Sequence, residues 1–94
     1  MPYYVMLSTL TDHGARTMKE HPHRIQEVDE EMTARGVKVL QQYAVLGDYD
    51  FVTIVEAPDN LSVAKASLEL GSRGSVRIRT LPAIPVDELV SGLG

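Results

Sequence analysis

The sequence predicts an α+β fold of the ferredoxin-like type, with elements in the order β-α-β-β-α-β. Four short segments rich in β-branched, aromatic and aliphatic residues alternate with helical patterns in that order. The chain has 94 residues, of which 44% are hydrophobic, and this suits one small globular domain. We therefore expect residues 1–94 to form a single domain, with a four-stranded antiparallel sheet and helices on one face.

The first strand and two helical segments occupy the N-terminal third. Residues 3–10 are aromatic and aliphatic and predict a strand. Thr11 and Asp12 are favoured helix N-cap residues, so a helix begins there. Pro22 is tolerated at the first turn of a new helix, which predicts a second helix over residues 23–35. Gly36 then stands where a glycine commonly ends a helix.

The second of these helices is amphipathic. Ile25, Val28 and Met32 recur at helical spacing and predict its buried stripe. The other positions carry acidic residues, which we interpret as a solvent face: Glu27, Asp29, Glu30 and Glu31.

A β-hairpin follows, with strands over residues 37–46 and 51–57 around the turn 47–50. In the first of these strands, simple alternation puts Val37, Val39, Tyr43 and Val45 on one face.

The remaining third is predicted as helix, strand and terminal segment. Pro58, Asp59 and Asn60 cap a helix whose predicted buried stripe is Leu61, Ala64 and Leu68, widened by Val63 and Leu70. Residues 75–81 form the fourth strand, which Pro82 and Pro85 are expected to end. Residues 85–94 are a short helix or a tail.

Composition excludes several classes of protein. The absence of Cys excludes disulfide frameworks, thiolate zinc sites and cysteine nucleophiles. The net charge of −4 disfavours nucleic-acid binding, although Arg73, Arg77 and Arg79 form a small basic run. Without a signal peptide or an apolar run long enough to cross a bilayer, we expect a cytoplasmic protein with no membrane partner.

The strands are apolar on both faces, which predicts a second covering layer. A sheet with one face in water should alternate between apolar and polar residues, and here the first three strands do not. The first strand sets Tyr3, Val5 and Leu7 against Tyr4, Met6 and Leu10, and the third sets Phe51 and Val55 against Val52 and Ile54. Since the helices cover one face, we expect a homodimer or higher homo-oligomer that packs sheet against sheet.

Residues 46–59, LGDYDFVTIVEAPD, closely resemble the signature of the GYD domain family, which is named for the equivalents of Gly47, Tyr49 and Asp50. The resemblance extends over residues 3–88. Further matching positions are Thr11, Gly14, Pro22, Arg24, Gly36, Tyr43 and the segment 70–74. It implies a relative of the dimeric α+β barrel superfamily, in which two ferredoxin-like subunits pack their sheets together. Other branches of that superfamily include cofactor-free monooxygenases and haem-degrading enzymes, whereas the GYD branch implies no settled activity.

Seven residues are candidates for ligand binding, and each has a structural alternative. Tyr49 and Asp50 could orient a polar substrate or simply build the hairpin turn. Glu56 needs a partner if buried, and Tyr43 with Arg77 or Arg79 could complete either a ligand-binding group or an ion pair that fixes the register. The complete set is His13, Arg24, Tyr43, Tyr49, Asp50, Glu56 and Arg77.

Four of the basic side chains are harder to assign. Arg24 opposes the dipole of the helix it begins, so it pairs with Asp48 or Asp50, or it holds an anionic ligand. His13 follows the first strand, near the expected barrel mouth, where it binds a ligand or is an exposed capping residue. His21 and His23 flank Pro22, do not share a helix face and lack an obvious third ligand, so we expect no metal site.

Three functions remain open. The first is a GYD-domain homo-oligomer of unsettled activity, which assembles through its sheet face and has a small-molecule cavity. The second is a cofactor-free, monooxygenase-like enzyme acting on a small aromatic or quinone compound, which requires Tyr43, Glu56 and an arginine to converge. The third is a haem-binding protein. For the first reading, which we favour, no cofactor is expected.

Overall fold

The computed structural model describes residues 1–94 and confirms the ferredoxin-like α+β fold. Its antiparallel sheet has the strand order β2-β3-β1-β4, so the first and third strands are central. The strands are β1 (Tyr3–Leu10), β2 (Lys38–Ala44), β3 (Phe51–Glu56) and β4 (Val76–Ala83). The helices are α1 (Asp12–Glu20), α2 (Arg24–Ala34), α3 (Asn60–Ser72) and α4 (Val86–Leu93).

Two helices begin with the predicted caps. The Thr11 hydroxyl accepts a hydrogen bond from the Gly14 N–H at 3.1 Å, and Asp59 accepts one from the Ser62 N–H at 2.8 Å. Gly36 follows α2 with a φ of 85°, a left-handed conformation that favours glycine. The N-terminal elements therefore form largely as their local sequence predicts.

The core lies between the sheet and the helices α2 and α3. From the sheet side come Tyr4, Met6 and Val55, all nearly inaccessible to solvent. From the helix side come Met32, Val63, Ala66 and Leu70. The Tyr4 hydroxyl donates to Asn60 Oδ1 at 2.6 Å and so ties β1 to the start of α3.

The other side of the sheet, which we call the open face, carries no helix. Alternation along paired strands assigns it fourteen side chains. They are Tyr3, Val5, Leu7 and Thr9 of β1, Val52, Ile54 and Glu56 of β3, Lys38, Gln41 and Tyr43 of β2, and Arg77, Arg79, Leu81 and Ala83 of β4. This assignment confirms the predicted split of β1 and β3 into two faces.

The predicted faces of β2 were wrong. Val39 pairs with Val55 and Gln41 with Ile54, so Leu40 is an extra residue in a β-bulge. Because the bulge shifts the alternation by one residue, Val39 faces the core while Tyr43 lies on the open face.

Pro82 was expected to end the fourth strand, yet β4 continues through it to Ala83. Pro82 is the register partner of Tyr4, and β4 is an outer strand of the sheet. On an outer strand every second backbone N–H points away from the sheet, so a proline there removes no ladder hydrogen bond.

The predicted buried stripe of α3 was wrong for Leu61, Ala64 and Leu68, but its two flanking positions, Val63 and Leu70, were predicted correctly. Leu61 and Leu68 are 63% and 76% exposed, whereas Val63, Ala66 and Leu70 are buried. Both sets recur at helical spacing, so α3 is apolar on two sides and only one of them meets the core.

The terminal segment is a helix, α4, whose eight residues are all exposed. Its apolar residues, Val86, Leu89, Val90 and Leu93, recur at helical spacing. The radius of gyration is 14.0 Å, against about 12 Å expected for a compact domain of this length. No helix of the chain is both long and apolar enough to cross a membrane.

Candidate functional site

Two features could carry function, and the first is the open face of the sheet. Its centre is apolar, because Val5 is paired with Ile54 on one side and with Leu81 on the other. Leu7 and Val52 extend this centre along the strands. Leu81 is 50% exposed in the protomer. An apolar surface of this kind, without a covering layer, is typical of an interface.

Charged side chains lie at two opposite corners of the open face. Glu56 pairs with Tyr3, two residues before Val5, while Arg79 pairs with Leu7, two residues after it. Strand spacing and rise put Glu56 and Arg79 on the order of 17 Å apart within one protomer. None of the ion pairs in the protomer includes either side chain.

The protomer places Tyr43, Glu56 and Arg77 on the open face but does not bring them together. Tyr43 pairs with Val52, which is four residues from Glu56, so these two positions are roughly 14 Å apart. Arg77 pairs with Thr9 at the far end of β1 and is more distant still. A catalytic group built from these three side chains therefore lacks its geometry within one protomer.

The second feature is a cavity of about 140 Å³ between the helices and the core side of the sheet. Its walls are mostly apolar. They include Met6 and Phe51 from the sheet and Met18, Ile25 and Val28 from α1 and α2. An apolar cavity of about 150 Å³ is large enough to bind benzene.

At one part of the cavity lining, Asp29, Gln42 and Thr53 form a hydrogen-bonded row. In the amide orientation that satisfies both neighbours, Gln42 Nε2 donates to Asp29 Oδ2 at 2.6 Å, and Gln42 Oε1 accepts from the Thr53 hydroxyl at 3.1 Å. Burial raises the pKa of Asp29 above its ordinary value, and the Gln42 hydrogen bond opposes that rise. The prediction that Asp29 belongs to the solvent face of α2 was therefore wrong.

Arg73 also lines the cavity and belongs to a cluster of ion pairs. Its Nη2 donates to Glu31 Oε2 at 2.5 Å and to Glu69 Oε1 at 3.3 Å. The hydrogen bond from Arg73 lowers the pKa of Glu31, and the same bond raises the pKa of Arg73. The other terminal nitrogen, Arg73 Nη1, is buried and has no hydrogen-bond partner. Such an atom is uncommon in folded proteins and calls for an explanation.

Arg24 lines the same cavity, but the predicted pairing with Asp48 or Asp50 was wrong. Its Nη1 lies 2.9 Å from Glu27 Oε2 and 3.5 Å from Glu31 Oε1. These neighbouring carboxylates on α2 offset the unfavourable position of a cation at the start of the helix.

The 47–50 turn fastens β1 to β3. Asp50 Oδ2 accepts a hydrogen bond from the Leu10 N–H at 2.8 Å, and the Asp50 N–H donates to the Ser8 carbonyl at 2.8 Å. Gly47 has a φ of 110°, which favours glycine. Tyr49 is half-buried beside them. The Asp50 carboxylate is thus already engaged by the backbone of the chain.

The histidines lie apart from both features. His13 is exposed on α1, and His21 and His23 are exposed on either side of Pro22. His23 contacts Gln26, with 3.1 Å between Nδ1 and Oε1. No three His, Asp or Glu side chains converge as a metal site would require.

The polar residues of the cavity were missed, apart from Arg24, because they come from distant parts of the sequence. Asp29 lies on α2, Gln42 on β2 and Arg73 just after α3. The only signal was weak: Gln42 is a polar residue in a mostly apolar strand.

Comparison with known proteins agrees with the fold. A family model described as GYD domain matches residues 4–92. A Thermus thermophilus protein named "Glutamine synthetase and cystathionine beta-lyase binding protein" is 55% identical over 94 residues, with 99% of each chain covered.

Two solved structures share the fold at lower identity. The crystal structure of TTHA0845, also from Thermus thermophilus, has a TM-score of 0.57 at 23% identity, covering 90% of this chain and 95% of that one. The crystal structure of FFRP-DM1 has a TM-score of 0.59 at 21% identity, covering 89% of this chain and 100% of that one.

Proposed function

Because this chain belongs to the GYD domain family, we propose that it is a protein-binding member of that family, which first assembles with a second copy of itself. The observation that carries the proposal is the apolar centre of the open face. Val5, Ile54 and Leu81 meet there with no helix to cover them. Burial of such side chains against a partner is favourable at about 25 cal/mol per Å².

The charges on the open face support a second copy as the occupant. Glu56 and Arg79 occupy mirrored positions about Val5, each two residues away along β1 and one strand to either side. A two-fold axis that lies in the plane of the interface, passes through Val5 and is perpendicular to the line from Glu56 to Arg79 would bring Glu56 of each protomer against Arg79 of the other. Across that axis the Glu56 and Arg79 positions are complementary in charge and the centre of the face is apolar, while Lys38 beside Glu56 and Arg77 near Arg79 leave the face with a net positive charge.

The binding of other proteins is supported by the relative at 55% identity, whose name describes binding to glutamine synthetase and cystathionine beta-lyase. We propose that the assembled form of this chain binds enzymes of those two kinds. Once the open faces are joined, the helix layer and α4 are the surfaces left for such partners.

Light scattering after size-exclusion chromatography tests the assembly. The wild type should elute as a dimer or larger oligomer, and Ile54→Lys should give monomer, because it places a charge at the apolar centre. Leu68→Lys, on exposed α3, is the matched control and should not change the mass. An unchanged mass for Ile54→Lys would contradict the interface.

Charge exchange tests the symmetry. Glu56→Arg alone and Arg79→Glu alone each set like charges together twice per dimer, so both should weaken it. The double exchange restores opposite charges and should recover the dimer. If the double variant is as weak as the sum of the two single variants, the proposed axis is wrong.

Partner binding has its own measurement. Purified glutamine synthetase and cystathionine beta-lyase of the source organism are passed over the immobilised wild-type chain, with blank resin as the control. Retention of either enzyme supports the proposal. If neither enzyme is retained above the blank, the protein-binding part fails while the assembly result stands.

A further inference from the structure

One acidic side chain of the cavity lining has no cationic partner. Asp29 lines the cavity and is half-buried, yet none of the ion pairs in the protomer includes it. Its hydrogen-bond partner is the neutral amide of Gln42, at 2.6 Å. Burial raises the pKa of Asp29 and that amide alone opposes the rise, so no neighbouring cation compensates the charge of the carboxylate.

The two arginines that line the cavity, by contrast, are neutralised by partners of their own. Their cluster of ion pairs consists of Arg24, Arg35 and Arg73 with Glu27, Glu31 and Glu69. Three positive and three negative side chains leave this cluster without net charge. The uncompensated charge in the cavity lining is therefore the negative charge of Asp29, which favours a cationic group on a ligand.

The walls of the cavity determine the rest of such a ligand. They are largely apolar and enclose about 140 Å³, which is close to the volume that accepts a benzene ring. The body of the ligand is therefore a single ring or a short branched chain. A carboxylate on the same ligand would be repelled by Asp29, so the ligand is an amine rather than an amino acid.

We propose that each protomer binds a small primary amine with an apolar body in this cavity, with the ammonium group donating a hydrogen bond to the Asp29 carboxylate. A hydrogen bond between two charged groups is stronger than one between neutral groups. The apolar body then contacts Ile25, Val28 and Phe51, which line the cavity. The site is formed by one chain, so it goes beyond the proposed assembly and protein binding and depends on neither.

The test is a titration of the purified full chain at pH 7, followed by NMR of methyl groups and by calorimetry. Benzylamine is the probe, and benzyl alcohol is its control, because the alcohol keeps the ring and a hydrogen-bond donor but lacks the charge. We expect benzylamine to shift the methyl signals of Ile25 and Val28 but not those of Leu61 and Leu68, which are exposed on α3. Benzylamine should bind about tenfold more tightly than benzyl alcohol.

Two substitutions assign the ammonium contact. Asp29→Asn keeps the size of the side chain and removes its charge, so it should weaken benzylamine binding about tenfold and change benzyl alcohol binding less than about twofold. Glu30→Gln is the matched control, because Glu30 is the next residue of α2, is exposed and does not line the cavity. Both variants remove one negative charge, so the comparison separates the site from a general attraction of cations to an acidic chain. Glu30→Gln should leave the benzylamine affinity within about twofold of the wild type.

A third variant keeps the test decisive if Asp29→Asn disturbs the fold. Val28→Phe adds bulk to the cavity wall and leaves Asp29 in place, so a folded Val28→Phe protein should bind neither benzylamine nor benzyl alcohol. The proposal is overturned if the methyl signals of the cavity do not respond to benzylamine, or if benzyl alcohol or benzoate binds as tightly as benzylamine. It is equally overturned if folded Asp29→Asn or folded Val28→Phe binds benzylamine like the wild type.

Discussion

Replacement of Gly14 by alanine should destabilise the protein, even though alanine is the better helix former. Gly14 is buried in the first turn of α1, where the helix meets the residue before β4. A Cβ atom there would lie 1.9 Å from the Ser75 carbonyl oxygen, far inside van der Waals contact. Gly14 is not among the residues with positive φ, so the effect is one of space rather than of backbone conformation.

The size of the effect follows from the contacts at that junction. To admit the methyl group, α1 must withdraw from Ser75 by about 1 Å. That movement strains two hydrogen bonds, from Thr11 N–H to the Ser75 carbonyl at 3.0 Å and from the Thr11 hydroxyl to the Gly74 carbonyl at 2.6 Å.

Each hydrogen bond contributes about 1 kcal/mol. Steric overpacking costs about 2 kcal/mol, and the helix propensity of alanine returns about 1 kcal/mol. The net loss of unfolding free energy is about 3 kcal/mol.

Urea unfolding followed by circular dichroism, at one fixed protein concentration, measures this difference. Gly71→Ala is the matched control, because Gly71 lies in α3 with ordinary φ and no atom within 4 Å of an added Cβ. It should raise the unfolding free energy by about 0.5–1 kcal/mol. An unfolding midpoint for Gly14→Ala at or above that of the wild type would refute the steric argument.

Three further predictions concern the core and the ionised groups. Leu70→Ala should cost about 2–5 kcal/mol of unfolding free energy, whereas Leu68→Ala, at an exposed position, should change it by less than about 0.5 kcal/mol; similar urea midpoints for the two would contradict the side of α3 that is buried. Arg73 lowers the pKa of Glu31, so this ion pair stabilises the fold fully above the ordinary glutamate pKa of 4.5 and loses its effect as the pH falls through the lowered pKa. Glu31→Gln should therefore make the urea midpoint fall less steeply below pH 4.5. A slope equal to that of the wild type would count against a stabilising ion pair. Burial raises the pKa of Asp29, so ionisation of this side chain destabilises the fold progressively as the pH rises above 3.8. The unfolding free energy of Asp29→Asn should therefore exceed that of the wild type by more at pH 7 than at pH 3.5. An equal difference at the two pH values would argue against burial as the cause.

Local chemistry explains what could be predicted from the sequence. The turn that contains Gly47 separates the end of β2 from the start of β3. Helices α1 and α3 begin directly after Thr11 and Asp59, whose side chains accept hydrogen bonds from N–H groups in the first turn. Turn and cap residues act over only three or four positions of the chain, so their effect can be predicted without knowledge of the tertiary structure.

The features that could not be predicted are those for which the sequence offers two similar surfaces and only tertiary packing determines which of them is buried. On α3, Leu61 and Leu68 are as apolar as Val63 and Leu70, so periodicity alone cannot decide which stripe meets the sheet. On β2, the bulge at Leu40 reverses the faces of every later residue, and no turn residue marks it. The same reversal carries Gln42 to the cavity and Tyr43 to the open face.

Both outer strands of the sheet carry an irregularity, and together these limit how copies can join. Pro82 lies within β4, where it leaves a gap in the row of donors that a further strand would need. On the opposite edge, the Leu40 bulge interrupts β2. A sheet with apolar residues on both faces would otherwise be prone to extend strand by strand into a fibril. With both edges interrupted, the proposed association through the open face is favoured over strand addition, and a two-fold arrangement there would close on itself and keep the particle finite in size.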